Sequence, residues 1–341
     1  MEYLRQRFID ELNDEGEVEI RGAVFTRQRI IEELDPEAYE NAFSDWVDQT
    51  KRGSAERAEE FLRHHGCWTR FQTLRRHVNR NNAMPWVGAG MSASSGMPLW
   101  GRFLVMSCAD GPDIVEEVEQ NIQLGLFETA AQKVSDHMTP NVLDEEIENT
   151  FGNPNPDTKG PVRLLPILFS NGCVTTNFDY VLEQAYRESD LGDFNHKIIG
   201  DQLREAPRRY ADNRHCLFRL HGEASRRDGR ILTEEEYNAV YDNEVILSDV
   251  LSGLTGTKSM LFLGCSLTVD RTMQALSHLK ENAAVQNPRH YAFLPLPEEG
   301  DRRNRRLQLN TADIHPIWYP NDGDHDQHIE DLFIALIDGG N

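Results

Sequence analysis

Six short apolar runs constrain the fold of this chain more than any other feature. They lie at 84–87, 173–176, 216–220, 260–263, 291–294 and 314–318, and they carry β-branched or aromatic residues. They read as buried rather than alternating strands. Helical patterns separate several of them, notably over 179–187, over 269–279 and through Ile329, Leu332, Phe333 and Leu336. Buried strands alternating with helices predict an α/β fold with a doubly wound parallel sheet. In such a sheet ligands bind outside the carboxyl ends of the strands. The runs at 84–87 and 260–263 are followed directly by glycine, and Asn177 and His221 follow the next two. No internal repeat or low-complexity tract interrupts the pattern.

Residues 1–66 read differently, as a small, mainly helical region. Val18, Ile20 and Phe25 hint at one short strand. Asp35-Pro36-Glu37 marks a helix start, with Asp as N-cap, Pro at the first helical position and Glu in the first turn. Tyr39, Phe43, Trp46 and Val47 follow at helical spacing and give one apolar face. Lys51-Arg52-Gly53-Ser54 is expected to break this helix, and Gly66 to stop the next one. A region of this size cannot bury so much apolar surface alone. It is expected to pack on the rest of the chain, on another subunit or on a partner protein. A subunit contact is the favoured reading, giving a homo-oligomer and an assembly or regulatory role.

A helix with Phe71, Leu74 and Val78 then leads into the first run. The stretch 101–160, which holds 12 acidic and 3 basic residues, reads as helices and a loop inserted between the first two strands. Its charge is that of a solvated helical face, or of a lid or partner surface.

Composition removes several classes. A net charge of −22 argues against general affinity for nucleic acid, whose phosphates need a Lys/Arg surface. Hydrophobic residues at 39% are enough for a sizeable core, which excludes wholesale disorder. The five cysteines, at 67, 108, 173, 216 and 265, form no C-x-x-C pair and no zinc-finger spacing. They make a poor disulfide framework, which fits a reducing compartment. No apolar signal segment follows Met1, and no apolar stretch approaches membrane-spanning length. A soluble, cytoplasmic protein without membrane contact is expected. Arg302-Arg303, Arg305-Arg306 and the eight arginines within 204–230 read as surface charge pairing with the acidic excess.

Four motifs carry the candidate chemistry. The first is Gly88-Ala89-Gly90-Met91-Ser92, continued by Ser95-Gly96-Met97-Pro98. A strand ending in Gly-x-Gly before a helix lets the backbone approach a pyrophosphate. Ala93 occupies the usual third glycine position, however, and read alone the segment is equally an ordinary tight turn. The second is Thr175-Thr176-Asn177-Phe178-Asp179, at the end of a strand. Local capping by Asp179 and a turn bonded by Asn177 account for it as well. The third is Phe218-Arg219-Leu220-His221-Gly222, where the histidine is either a satisfied structural residue or an acid–base group. The fourth, Leu263-Gly264-Cys265-Ser266-Leu267 with Asp270, closes a strand in glycine and hydroxyl before a helix.

Taken in this order, the four motifs resemble those of the sirtuin superfamily, over roughly residues 68–337. The resemblance implies a Rossmann-like, sirtuin-like sheet and makes 67–341 an NAD-binding catalytic domain. Gly88, Ala89, Gly90 and Ser92 would hold the pyrophosphate, with Pro98 and Thr176 also in the nucleotide site. Gly264 and Ser266 would hold the adenosine ribose. Asn177 and His221 match the catalytic asparagine and histidine, and Asp179 would hold the nicotinamide end or fix the Asn177 loop.

The departures matter too. Sirtuin deacylases carry a four-cysteine zinc module, whereas only Cys216 and Cys265 lie in that neighbourhood here. Pro98-Leu99-Trp100-Gly101 replaces the deacylase Pro-x-Phe-Arg, and Thr176 stands where deacylases have glutamine. The chain is more similar to the zinc-free, sirtuin-like NAD hydrolases of bacterial antiphage defence. Those show Pro-x-Trp, Thr-Thr-Asn-Tyr/Phe-Asp and a Leu-Thr-(x)n-Tyr stretch, which Leu232, Thr233 and Tyr237 fit. Ile317-Trp318-Tyr319 with His328 resembles their C-terminal strand and helix.

This second resemblance implies an NAD hydrolase without zinc, yielding nicotinamide and ADP-ribose and depleting cellular NAD when triggered. Control is expected from residues 1–66, the oligomer or a separate partner such as an ATPase or sensor protein. An NAD-dependent protein deacylase and a non-catalytic nucleotide-sensing module are the alternatives, since the fold alone does not fix the activity.

Overall fold

Parallel pairing of buried strands organises the molecule. A computed structural model describes residues 4–199, 202–203, 215–240, 244–256, 258–268, 271–282 and 288–338. Near the N-terminus β1 (Val18–Ile20) and β2 (Ala23–Phe25) form a small antiparallel pair. The main sheet contains β3 (Ala83–Val87), β4 (Gly172–Thr175), β5 (His196–Ile199), β6 (Cys216–Arg219), β7 (Ser259–Leu263), β8 (His290–Pro295) and β9 (Ile314–Tyr319). Its order is β5-β6-β4-β3-β7-β8-β9, and each neighbouring pair is parallel. All six apolar runs become strands. The seventh, β5, lies at the edge with two of its four residues exposed, so no apolar run announces it.

The order places the site. From β3 the chain moves through β4 towards one edge, then returns to β7 on the other flank of β3 and moves the opposite way. The loops after β3, β4 and β7 therefore diverge around one crevice at the strand ends, the switch point where doubly wound sheets take ligands. Every residue of β3, β4, β6 and β7 is buried, as expected of strands covered on both faces.

Between β3 and β4 stand the helices Trp100–Ser107, Pro112–Gln123, Phe127–Met138 and Pro140–Phe151. They enclose a second core around Phe103, Leu104, Val134, Ile147 and Phe151, distinct from the core of the sheet. The helix expected over 269–279 runs from Arg271 to Asn282, and Val269 and Asp270 lie outside the described residues.

Two local expectations for the N-terminal region are corrected. The single strand is a hairpin, because Arg21 and Gly22 take φ of 52° and 82° and make the tight turn that reverses the chain. The break at Lys51–Ser54 is absent, and one helix runs from Pro36 to His64. Ser54 is fully buried and accepts from Arg57 Nη2 at 3.3 Å. Arg57 in turn grips Asp331 of the C-terminal helix His325–Asp338 at 2.7 and 2.8 Å. Packing along that helix offsets the roughly 1 kcal/mol by which glycine disfavours a helix interior. The start and stop behave as read: Asp35 Oδ1 accepts from the Ala38 amide at 3.0 Å. At the other end Gly66, at φ 63°, and Cys67 donate to the carbonyls of Arg63 and Leu62, closing the helix in a Schellman turn.

The apolar face of this helix is also covered within the chain. Tyr39, Phe43 and Val47 are buried in the same core as the sheet, and Phe8 packs on Tyr39, Phe43 and Trp46 with ring centroids 5.4–5.6 Å apart. That face is therefore not the expected subunit contact. Among the described residues no helix is long and apolar enough to cross a membrane.

Candidate active site

A cavity of about 2190 Å³ opens at the carboxyl ends of β3, β4, β6 and β7, with the inserted helices forming its far wall. Gly88, Ala89, Gly90, Pro98, Thr176, Asn177, Asp179, His221, Gly264 and Ser266 all line it. The topology thus brings together motifs that lie up to 178 positions apart. Ser92 is the exception, being buried at 1% exposure.

The glycines are required by one another. The Gly88 amide donates to Leu263 O at 2.8 Å and the Gly90 amide to Gly264 O at 3.0 Å. A Cβ on Gly88 would stand 2.7 Å from Cys265 Sγ, and one on Gly90 would stand 2.8 Å from Gly264 Cα. Gly264 itself sits at φ 63°, a conformation that favours glycine. The turns after β3 and β7 therefore interlock. The segment after Gly88 is a short 3₁₀ turn, Ala89–Ser95, rather than the α-helix N-terminus expected there.

Beneath this turn a directed chain of hydrogen bonds fixes the second motif. Asn177 Nδ2 donates to Ser92 Oγ at 3.1 Å, and Ser92 Oγ donates to Asp179 Oδ1 at 3.0 Å. The Val181 amide donates to the same carboxylate oxygen at 3.0 Å. The motif assigns Ser92 to the pyrophosphate. In the structure its hydroxyl, buried within the 3₁₀ turn, joins Asn177 to Asp179. Asp179 both closes the local turn and anchors Asn177. With its amide nitrogen committed, Asn177 keeps Oδ1, which has no partner among the described residues, as an acceptor at the cavity. Burial raises the Asp179 carboxyl above its ordinary value, against the opposing pull of the Val181 amide, the Arg219 charge and the Ser92 hydroxyl.

His221 follows β6, held by backbone bonds from Leu220 to Thr175 and from Ile231 to His221 itself, each 3.0 Å. Its Nε2 lies 2.5 Å from the Tyr237 hydroxyl. Burial pushes the imidazole down to about 4, although a bond with the Thr176 backbone works the other way. The ring is therefore neutral at physiological pH, as a proton acceptor must be.

Comparison with known proteins bears on this constellation. A family model described as "SIR2-like domain" matches residues 171–317, from β4 into β9, and includes Asn177, His221 and Gly264. Residues 171–317 thus resemble a SIR2-like domain. Similar proteins include three each named "NAD(+) hydrolase ThsA". The one from Cytobacillus dafuensis is 26% identical over 257 residues, 70% of this chain and 49% of the relative. The one from Acinetobacter baumannii (strain 532279) is 25% identical over 67% of this chain and 45% of its own length. The one from Enterococcus faecium is 23% identical over 64% and 44%. The chain thus spans about half the length of the relatives it matches.

Within the matched segment, two residues that were given no role from the sequence hold the site together. Arg219, expected among surface charges, is fully buried and paired with buried Glu183 through Nε at 2.9 Å and Nη2 at 2.5 Å. It also donates to the carbonyls of Asn177 at 2.8 Å, Asp179 at 2.7 Å and Gly222 at 3.2 Å. One guanidinium therefore pins both the Asn177 and the His221 loops. Burial lowers its pKa, but the Glu183 carboxylate more than compensates, so it stays charged. Arg230 is also buried and pairs with Asp144 of the inserted helices. Of the eight arginines, those within 204–214 lie outside the described residues. The second missed residue is Tyr237, whose only sequence signal is its place in the Leu-Thr-(x)n-Tyr stretch.

None of the five cysteines forms a disulfide. Among the described residues no three His, Cys, Asp or Glu side chains gather as a metal site.

Proposed function

We propose that this chain is an NAD⁺ hydrolase that cleaves the nicotinamide–ribose bond to give nicotinamide and ADP-ribose. The observation that carries the reading is the meeting of Asn177 and His221 in one cavity of a SIR2-like domain, with the Asn177 amide oriented by Ser92 and Asp179. The names of the three similar proteins support it.

The leaving nicotinamide departs neutral and needs no general acid. What requires stabilisation is an oxocarbenium-like C1′ with water on its opposite face. The free Oδ1 of Asn177 accepts from the ribose hydroxyls or the attacking water and so sets its position. Neutral His221 accepts the proton released. The interlocked turns at Gly88–Gly90 and Gly264 offer a backbone surface for the pyrophosphate, and Ser266 a hydroxyl for the adenosine ribose.

Water is the acceptor in this reading, and no zinc takes part. Resemblance to the defence hydrolases extends the proposal to an antiphage effector, cytoplasmic and oligomeric, which depletes NAD when triggered. Residues 1–66 and a separate partner such as an ATPase or sensor protein are the candidates for its control. Chromatography of NAD incubated with the purified protein tests the activity. Stoichiometric nicotinamide and ADP-ribose are expected from the triggered protein, without any acylated peptide. NAD that binds the triggered protein and stays intact would favour a nucleotide-sensing module. Turnover that required an acetylated peptide, with stoichiometric zinc by elemental analysis, would favour a deacylase.

A further inference from the structure

The Nε2 of His221, a residue of the cavity wall, already has a partner. Tyr237 places its hydroxyl 2.5 Å from Nε2, and the two rings meet edge to face, with centroids 5.5 Å apart and planes at 80°. Both residues line the cavity. A phenol of the cavity wall is therefore in hydrogen-bond contact with the acceptor nitrogen.

The helix that carries this phenol, Glu234–Val240, is braced from several sides. Thr233 and Glu236 form a reciprocal cap, Glu236 N to Thr233 Oγ1 at 3.2 Å and Thr233 N to Glu236 Oε2 at 3.0 Å, which fixes its start. The Glu235 amide donates to Gln132 of the inserted helices at 3.2 Å. Arg271 lies over the Tyr237 ring at 5.4 Å and is itself held by Glu128 at 2.7 Å and Asn238 at 2.7 Å. A cation over the ring face stabilises the negative charge that grows on a phenol as it gives up its proton.

We propose that Tyr237 is a catalytic residue, relaying the proton of the attacking water to His221. The proposal rests on the NAD-hydrolase reading of the site. As the water oxygen bonds C1′, one of its O–H bonds breaks and that proton passes to the phenolic oxygen of Tyr237. The phenolic O–H breaks as this happens, and its proton goes to Nε2 of His221. The C1′–N bond breaks with its electron pair leaving on nicotinamide. Tyr237 ends as it began, His221 ends as an imidazolium, and the proton is the one NAD hydrolysis releases.

Tyr237→Phe keeps the ring and its packing and removes only the oxygen. It is expected to lower kcat about 10²-fold, with the NAD dissociation constant within about twofold of wild type. A relay and its acceptor act as one unit, so Tyr237→Phe added to His221→Ala should cost nothing further. Wild-type kcat in Tyr237→Phe, or losses that multiply in the double variant, overturns the relay. If His221→Ala abolishes cleavage while Tyr237→Phe leaves it at the wild-type rate, the hydrolase reading stands and the relay falls. A wild-type protein that binds NAD and never cleaves it overturns both.

Discussion

Ser92→Ala separates two roles for one buried hydroxyl. The first motif assigns Ser92 to the pyrophosphate, whereas the folded chain uses it to join Asn177 to Asp179. Truncation removes one bond from a neutral amide and one to a carboxylate. A neutral bond contributes about 1 kcal/mol and one to a charged group about 1.5–3 kcal/mol. The loss of folding stability is therefore expected at about 2.5–4 kcal/mol, with little cavity cost, since a single oxygen is removed. Asp179 keeps the Val181 amide and the Arg219 charge, so the fold survives. Asn177 loses the bond that sets its amide, and a misorientation worth about 1.4 kcal/mol in the transition state slows turnover about tenfold. NAD affinity should hardly change, because Ser92 lies beneath the cavity. Urea unfolding, kcat and calorimetric NAD binding read the three quantities separately. Binding weakened tenfold or so, with stability and kcat unchanged, would show that Ser92 holds the pyrophosphate and would refute this account.

Asn177→Ala and His221→Ala should each lower NAD cleavage by about 10²–10⁴ while the circular dichroism spectrum stays native; near-wild-type turnover in either would remove it from the mechanism. His221 and His290 are both pushed by burial from 6.5 to about 4, so below pH 6.5 the unfolded chain binds protons that the folded chain refuses. Stability should accordingly be intact above pH 6.5 and decline as pH falls towards 4; a urea midpoint constant over that interval would contradict the burial argument. Deleting residues 1–66 strips the helix Pro36–His64 from the C-terminal helix and uncovers the shared core, so loss of cooperative unfolding and aggregation are expected. A truncated protein that kept the wild-type melting midpoint and changed only in light scattering would restore the subunit-contact reading.

What could be read from the sequence depends on the range of the physics involved. Central strands such as β3 and β7 are buried on both faces, so composition alone marks them. The edge strand β5 shows half its residues to solvent and leaves no such mark. Caps are local: Asp35 and Gly66 act within four residues of themselves, and both behave as read. Gly53 obeys an equally local preference, yet it sits within a continuous helix, because Arg57 and Asp331 meet across 274 positions. That contact outweighs a propensity that the sequence states correctly.

The site divides along the same line. A strand end, a glycine turn and a polar residue after it are neighbours in sequence, so Gly88, Asn177, His221 and Gly264 could be placed at one crevice before the fold was known. The roles of Ser92, Arg219 and Tyr237 are set by partners 85, 36 and 16 residues away. Nothing in the residue type reveals such a partner. A buried arginine and a surface arginine read alike until the fold supplies Glu183, and a serine after Gly-x-Gly reads as a phosphate ligand until the turn directs it inward. The residues that touch a substrate are therefore easier to find in a sequence than the residues that orient them. In this protein the latter carry the tests that discriminate most sharply. Ser92→Ala acts on Asn177 through one hydroxyl, Tyr237→Phe acts on His221 through another, and in the proposed hydrolase neither change should weaken NAD binding.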